Sequence, residues 1–415
     1  MRQVLPLKTQ AQLFDQVLEQ RLDTLLPQLM KREKTSMWIV MNREYNEDPV
    51  YLSLVPRMCR NARRLSTLVF YLDGDKVQRY CIGNDRDFDG MYTVVPWDPM
   101  TQDRFDILRD TILRLNPENI ALDYSLTNQF ADGLTKALYD EFTAHMPKEV
   151  MDKVFSAERI VTSWLETRNR NELARYRAVN ELAKSIIDDA FSSKVITPGV
   201  TTTTDVEWFL MEEVSKLGLV AWFTPTIDVQ RRGCPGGRIS DEIILPGDVI
   251  HCDFGIQYMG LSTDTQRIGY IPREGETEVP EYLLRAHEHT LRFMDIVADQ
   301  CVEGRTGNEI LLGAMEQAEK EGLKAHLYTH PIGVHGHAAG PTIGLYYRPG
   351  CPVPGTGDYP LYRNTCYALE LNTKVCLPEW DGEELWVMRE ETVSFTKDHQ
   401  LDYLMTEPRT LKLVK

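Results

Sequence analysis

The sequence has no long apolar run. No window approaches the roughly 18 consecutive apolar residues that a membrane span requires. The opening stretch, MRQVLPLKTQAQLF, lacks the apolar h-region of a secretory signal. The expectation is a cytoplasmic chain without a membrane partner, or one from which a presequence has been removed. Positive charge is also scarce. Lys and Arg number 46 against 62 Asp and Glu, for a net charge of −16. A chain this acidic has no general attraction for phosphate backbones, which argues against nucleic acid as a partner. There is no Cys-x-x-Cys. The eight cysteines are scattered, and a chain of 415 residues needs no disulfide staples, so they read as mostly reduced thiols. Tandem repeats and low-complexity segments are missing too.

What is present is ordinary globular composition, 42% hydrophobic and 26% charged, with ample chain for a large core. A single core stops growing near roughly 250–300 residues, so the length predicts two or three domains. The first 150 or so residues read as a small α/β domain. Apolar residues from Leu13 to Leu29 recur at helical spacing over 9–30. SMWIVM (36–41) reads as a buried strand. The runs 68–72 and 76–83 flank Asp73-Gly74 and predict a hairpin. Residues 101–115 and 128–145 read as helices around a strand at 119–124. This region has no phosphate-binding glycine loop and no chemistry that can be identified. Pro147 and alternating charges mark a boundary over 146–156, giving domains 1–157 and 158–415.

The second part reads as mixed α+β with antiparallel hairpins. A helix is expected over 169–194, stopped by ITPG (196–199). Thr204 with Glu207, and Thr306 with Glu309, are capping-box signatures for two more. The chemistry concentrates here. Four of the nine histidines, His326, His330, His335 and His337, fall within HLYTHPIGVHGH. A solvated, idle loop is the bland reading; a metal or catalytic site is the sharper one, since imidazole is the commonest metal ligand. In HCDFGIQYMGLSTDTQR (251–267), Asp253 ends an apolar strand and Asp264 follows past Gly255 and Gly260. A hairpin turning near Gly260 would bring both carboxylates to one spot, where they repel unless they share a proton or a cation. As bland alternatives, Asp253 caps a strand and Asp264 is a turn residue. Glu370 in YALELN and Glu390 in LWVMREETVSFT are glutamates inside apolar strands. Each either faces solvent at an edge or is buried with a partner, because a bare buried carboxylate costs several kcal/mol. Four acids and a histidine would make an oxygen-rich site for divalent cations. Spacing alone does not prove that the five converge.

The order Asp253, Asp264, His330, Glu370, Glu390 resembles the pita-bread metallopeptidases, the family of methionine aminopeptidase, aminopeptidase P and prolidase. The separations of 11, 66, 40 and 20 residues are similar to the family's. So are the apolar-Asp-x-Gly strand at Asp253 and the Asp-x-x-Arg pattern from Asp264 to Arg267. The resemblance is closest to the branch that cleaves Xaa-Pro bonds. In that branch, histidines stand four residues before and seven after the ligand histidine, as His326 and His337 do here, with Gly333 at the intervening glycine. It spans both parts of the chain and is strongest over 158–410.

The resemblance implies a fold of an N-terminal α/β creatinase-like domain followed by a pita-bread catalytic domain. It implies a metal-dependent peptidase that hydrolyses the N-terminal Xaa-Pro bond through a hydroxide bridging two divalent cations. Asp253, Asp264, His330, Glu370 and Glu390 would be the ligands, and Glu370 would also take the water's proton. His326 and His337 would hydrogen-bond the tetrahedral species or the residue after the cleaved bond. Four carboxylates to one histidine favour a hard cation, manganese first, with zinc, cobalt or iron(II) as alternatives. The substrate would be a peptide with proline at its second position, on a shelf for which Trp222, Phe223, Tyr346 and Tyr347 are candidates. The N-terminal domain implies a homodimer.

Two departures stand out. The family's further catalytic histidine, some seventeen residues before the first aspartate, has no counterpart in DVQRRGCPGGRISDE (228–242), where Asp228, Arg231 and Arg232 are the alternatives. The arginine that often stands two residues before the last glutamate in aminopeptidase P is Met388 here, with Arg389 adjacent. Two other readings keep the fold: a metal-poor creatinase-like amidinohydrolase, and a catalytically silent binding module. Both usually lose ligands, whereas all five ligand types are intact.

Overall fold

The computed structural model describes residues 2–83, 88, 90–234, 237–405 and 410–415. The chain divides into two compact units. One is Leu5–Leu165; the other joins the segment through Val4 to Glu166–Lys415. The expected boundary at 157/158 falls just before the helix Glu158–Glu166. That helix packs with the first unit. Trp164 Nε1 donates to Ser53 Oγ at 2.8 Å, and the Arg21 guanidinium lies 4.3 Å over the Trp164 ring. Among the described residues no helix is long and apolar enough to cross a membrane. Among the described residues no disulfide joins any of the eight cysteines.

The first unit is built on a six-stranded mixed sheet. Leu65–Asp73 and Lys76–Ile82 form the expected hairpin, with Gly74 at φ +59° in its two-residue turn. Met37–Arg43 pairs antiparallel with this hairpin and parallel with Ile120–Leu122. The helices Arg104–Leu115 and Lys136–His145 cover one face, burying Phe105, Leu108, Ile112, Leu138 and Phe142 against Ile39, Met41 and Val69. The stretch expected as one helix over 9–30 is helical from Leu7 to Arg32 but contains a π turn at Arg21–Leu25. Buried Arg21 sits at that turn and donates to the Trp164 carbonyl. The expected helix over 128–145 is a short 3-10 turn, Gln129–Ala131, followed by Lys136–His145.

The second unit is built on a nine-stranded sheet. Across it the main strands run in the order Lys324–Leu327, Thr365–Cys376, Glu384–Lys397, Thr265–Tyr270, Val249–Phe254 and Thr226–Gln230. Side chains alternate between the two faces of a strand. One face carries Ile227, Val229, Ile250, Cys252 and Phe254, packed under the helices Arg170–Ala190 and Thr203–Lys216. The same face carries Leu369, Leu371, Val393 and Phe395 under Glu281–Gln300 and Gly307–Lys320. Each such buried side chain contributes roughly 2 kcal/mol. The residues between them in sequence are therefore held on the opposite face.

The Thr306–Glu309 capping box forms as expected, and Asn169 with Glu172 makes another. The third differs from the sequence reading. The cap is Thr202 with Asp205, not Thr204 with Glu207. The Glu207 carboxylate instead accepts from the Ile227 N–H at 2.9 Å, holding the neighbouring strand.

Candidate metal centre

The face of the large sheet turned away from the helices carries a row of polar side chains. Register sets Thr226 opposite Asp253, Asp253 opposite Gln266, Gln266 opposite Glu390, and Glu390 opposite Glu370. Directly opposite residues have Cβ atoms about 5 Å apart. Three acids on three different strands, Asp253, Glu370 and Glu390, thus meet with Gln266 because the strands pair in this register.

Asp264 arrives through a hairpin. Gln257 and Tyr258 pair with Ser262 and Leu261 around a two-residue turn, Met259–Gly260, whose φ angles are +54° and +78°. Both central residues lie in the left-handed region, as a tight hairpin of this twist requires. Gly255 permits the strand to double back. A Cβ there would lie 2.3 Å from the Thr263 carbonyl oxygen and 2.4 Å from Trp222 Nε1. His330 lies on the two-residue strand His330–Pro331, opposite Ala368.

The result is a compact donor cluster. His330 Nε2 is 3.5 Å from Asp264 Oδ2 and 3.6 Å from Glu390 Oε1. Its Nδ1 faces the Pro331 carbonyl oxygen at 3.0 Å. A carbonyl only accepts, so Nδ1 carries the hydrogen and the Nε2 lone pair points to the acids, the tautomer of a metal ligand. Donor atoms of Asp264, His330 and Glu390 lie within 4.8 Å of one another, and so do those of Asp253, Glu370 and Glu390. Glu390 belongs to both groups. The structure thus brings all five sequence-derived ligand residues together.

Electrostatics shows what this cluster needs. Burial pushes Asp253, Glu370 and Glu390 well above the carboxylate range, and the neighbouring acids push them further. Asp253 Oδ1, Asp264 Oδ1, His330 Nε2 and both Glu390 oxygens take no protein hydrogen bond among the described residues. Buried lone pairs left open at this density fit a divalent cation, with oxygen donors in the majority.

The two flanking histidines are placed differently. The His337 ring meets the His330 ring edge to face at 4.5 Å and Trp222 at 5.2 Å. His326 stands opposite Asn372, one side-chain step along the sheet from Glu370. Its Nε2 is 3.4 Å from the Leu345 carbonyl oxygen, and its ring lies 4.6 Å from Tyr328 and 5.7 Å from Tyr346. Burial lowers the pKa of both imidazoles. His335, the remaining histidine of the cluster, is pushed down to about 4 by burial and by Arg168. Trp222 packs on Phe223 at 4.5 Å and donates to the Thr263 carbonyl at 2.8 Å. Tyr346 joins the ring cluster of His326 and Tyr328, while Tyr347 is 76% exposed.

The departures resolve into geometry. Arg231 is ion-paired to Asp248 at 2.7 Å and Arg232 to Asp381 at 2.9 Å. Pro235 and Gly236 lie outside the described residues. Met388 occupies the site face, opposite Asn372. Arg389 alternates to the helix side, where it pairs with Glu391 at 2.7 Å and reaches His287. Three residues escaped the sequence reading: Arg238, His251 and Gln266. Gln266 Nε2 donates to Glu370 Oε1 at 2.5 Å and to Asp253 Oδ2 at 3.3 Å. Strand alternation was the available signal, because His251 lies two residues before Asp253 and Gln266 two after Asp264.

Comparisons with known proteins fall in line with this geometry. Residues 174–397 match the model of metallopeptidase family M24. No curated protein sequence matches the chain. Among solved structures it is similar to an X-Pro aminopeptidase from Thermotoga maritima MSB8, with a TM-score of 0.63 and 19% identity over 91% of this chain and 97% of that one. It is similar to an Xaa-Pro dipeptidase from Bacillus anthracis, with a TM-score of 0.60 and 15% identity over 98% and 99%. A prolidase from Pyrococcus furiosus aligns with a TM-score of 0.57 and 15% identity over 92% and 99%. At these identities the likeness is one of fold, and the fold is the α+β pita-bread architecture with its preceding N-terminal domain.

Proposed function

The chain belongs to metallopeptidase family M24, and from that premise we propose that it hydrolyses the peptide bond between an N-terminal residue and a following proline. The observation that carries the metal-dependent part of this reading is buried Glu390, shared by two groups of clustered donors. One carboxylate common to both groups fits a pair of cations, held by Asp253, Asp264, His330, Glu370 and Glu390. The oxygen-rich donor set favours Mn2+. Bound cations of this kind supply a water of lowered pKa and polarise the scissile carbonyl.

The chain's own groups do the rest. Glu370 takes the proton of the attacking water. Its carboxyl lies in the donor cluster beside Asp253 and Glu390, within reach of the place where the water would be held. His337, against His330, and His326, beside Tyr328, hydrogen-bond the carbonyl oxygen as it becomes tetrahedral or the residue after the cleaved bond. Trp222, Phe223 and Tyr346 supply apolar surface for the proline ring. The proposal includes a homodimer, with 1–157 serving oligomerisation and substrate access.

The test uses protein stripped with chelator and restored with Mn2+. It is incubated with Xaa-Pro dipeptides, longer Xaa-Pro peptides and proline-free controls, and products are read by mass spectrometry. Loss of one residue before proline, only with metal, is the expected result. The length preference then separates dipeptidase from aminopeptidase. Equal cleavage of the proline-free controls would refute the specificity, and no cleavage with metal bound would refute the activity.

A further inference from the structure

A line of polar side chains, buried except at its Arg238 end, runs behind the donor cluster. Arg238 Nε donates to Asp228 Oδ2 at 3.0 Å, and His251 Nδ1 lies 2.9 Å from the same oxygen. His251 Nε2 faces Gln266 Oε1 at 3.2 Å, and Gln266 Nε2 donates onward to Glu370 and Asp253. Asp228 is 0% exposed, His251 1% and Gln266 3%. None of these four residues belongs to the five-residue donor set.

The order of donors and acceptors fixes the line's direction. The carboxylate of Asp228 only accepts, so it takes hydrogens from Arg238 and from His251 Nδ1. Glu370 and Asp253 are acceptors as well, so the amide nitrogen of Gln266 belongs on their side and its oxygen faces His251, whose Nε2 must then carry a hydrogen as well as Nδ1 for the line to close. Gln266 therefore occupies one oxygen of each acid. It leaves Asp253 Oδ1 without a protein partner, open to the cluster.

Burying three polar groups in sequence, Asp228, His251 and Gln266, is costly unless each satisfies the next, and Arg238 closes the line from its more exposed end. Apolar residues fill neighbouring positions of the same face at Ile268 and Met388, the latter with its sulfur 3.5 Å from Arg238 Nη1. The polar line is thus a departure from the packing around it. We propose that Arg238, Asp228, His251 and Gln266 form a positioning relay that fixes the carboxylates of Glu370 and Asp253 for cation binding. Two of its members, Asp228 and Arg238, come from the stretch where the family's upstream histidine is missing. The inference rests on the metallopeptidase reading of the site. Gln266 is its working end, and the other three act through it.

The test is Mn2+ titration calorimetry on the stripped full-length chain, with kcat and KM on an Xaa-Pro peptide as a second readout. Gln266→Met keeps volume and removes the donor. It is expected to weaken Mn2+ binding about 10–100-fold, the range for outer-shell partners of metal ligands. It is expected to lower kcat similarly with KM within about twofold, because the relay acts on the acids and not on the peptide. Asp228→Asn is expected to act in the same direction, and Asp228→Asn with Gln266→Met should be no worse than Gln266→Met alone. A merely structural role predicts that the two losses add. Wild-type Mn2+ affinity in Gln266→Met, or full additivity in the double variant, overturns the relay. Should Gln266→Met fold poorly, Gln266→Asn shortens the arm and keeps the amide, and the same outcomes decide. Calorimetry needs no peptide. Wild-type protein that binds Mn2+ but cleaves nothing therefore refutes the peptidase reading alone, whereas failure to bind Mn2+ at all overturns the relay with it.

Discussion

At the scale of the residue, the centre depends on carboxylates that are unfavourable singly and useful together. Glu390 is the clearest case, being 1% exposed with both oxygens free of protein hydrogen bonds among the described residues. Glu390→Gln removes the donor common to both groups. Metal content should fall below wild type, and peptidase activity should drop by more than the roughly 100-fold that outer-shell changes cost. Elemental analysis beside a peptide assay checks it; full activity at full metal content would contradict it. A second buried acid pair, in the first unit, has a different consequence. Asp48 and Asp123 are each 2% exposed, and Trp38 Nε1 donates to Asp123 at 2.7 Å. Burial lifts Asp48 to about 6, and lifts Asp123 well above its usual range with Asp48 adding to the effect. Near neutrality one proton therefore serves the pair. A raised folded-state pKa means that stability is fully present below the ordinary carboxyl value and is lost as pH rises through about 6. Asp48→Asn removes that loss. Its stability relative to wild type should improve by roughly 1–1.5 kcal/mol between pH 5 and pH 8, measured by urea unfolding. An unchanged difference across that range would show that Asp48 does not titrate there.

At the scale of the element, two local devices bring Asp264 to the donor cluster. The hairpin through Met259–Gly260 carries Asp264 back beside Asp253, and Gly255 allows the close approach of Thr263 and Trp222. Gly255→Ala would force a Cβ to within 2.3 Å of backbone oxygen. The expected cost exceeds about 2 kcal/mol, as overpacking of this kind does, with weakened Mn2+ binding because Asp264 moves with the strand. Stability and metal affinity lost together is the signature; loss of stability alone would uncouple the turn from the site. Capping gives the complementary test. Thr202→Ala should cost about 1 kcal/mol and leave Mn2+ affinity unchanged, while Thr204→Ala should cost less. The sequence places four threonines in a row at 201–204, and a glutamate three residues after the last draws the cap two positions too far. In the structure Asp205 takes that role for Thr202, and Glu207 is used by the adjacent strand. Local pattern identified the helix but not its frame. The competing partner, Ile227, is distant in sequence.

At the scale of the molecule, the α+β character of the fold was readable from the sequence. Hairpin punctuation and strand and helix periods are local properties. So was the convergence of Asp253 and Asp264, since a glycine-bearing turn joins them. The partnership of Glu370 and Glu390 with that hairpin was readable only through family resemblance, because it depends on the pairing of distant strands. Arg238, His251 and Gln266 were hidden for the same reason: each is a single polar residue whose meaning appears once the sheet's register is known. Assembly of so many acids at one place also couples the metal to the fold. Binding that favours the folded state at free Mn2+ about 1,000 times Kd adds about 4 kcal/mol per site. A melting scan should therefore rise with Mn2+ and fall back with chelator, and a flat response would count against the site. The most direct measurement is the metal count itself. Stripped wild-type protein, dialysed against Mn2+ and analysed for bound metal, should hold two ions per chain, and Glu390→Gln fewer. A wild-type chain that holds none, with its fold intact, would contradict the reading of these five residues as a metal centre.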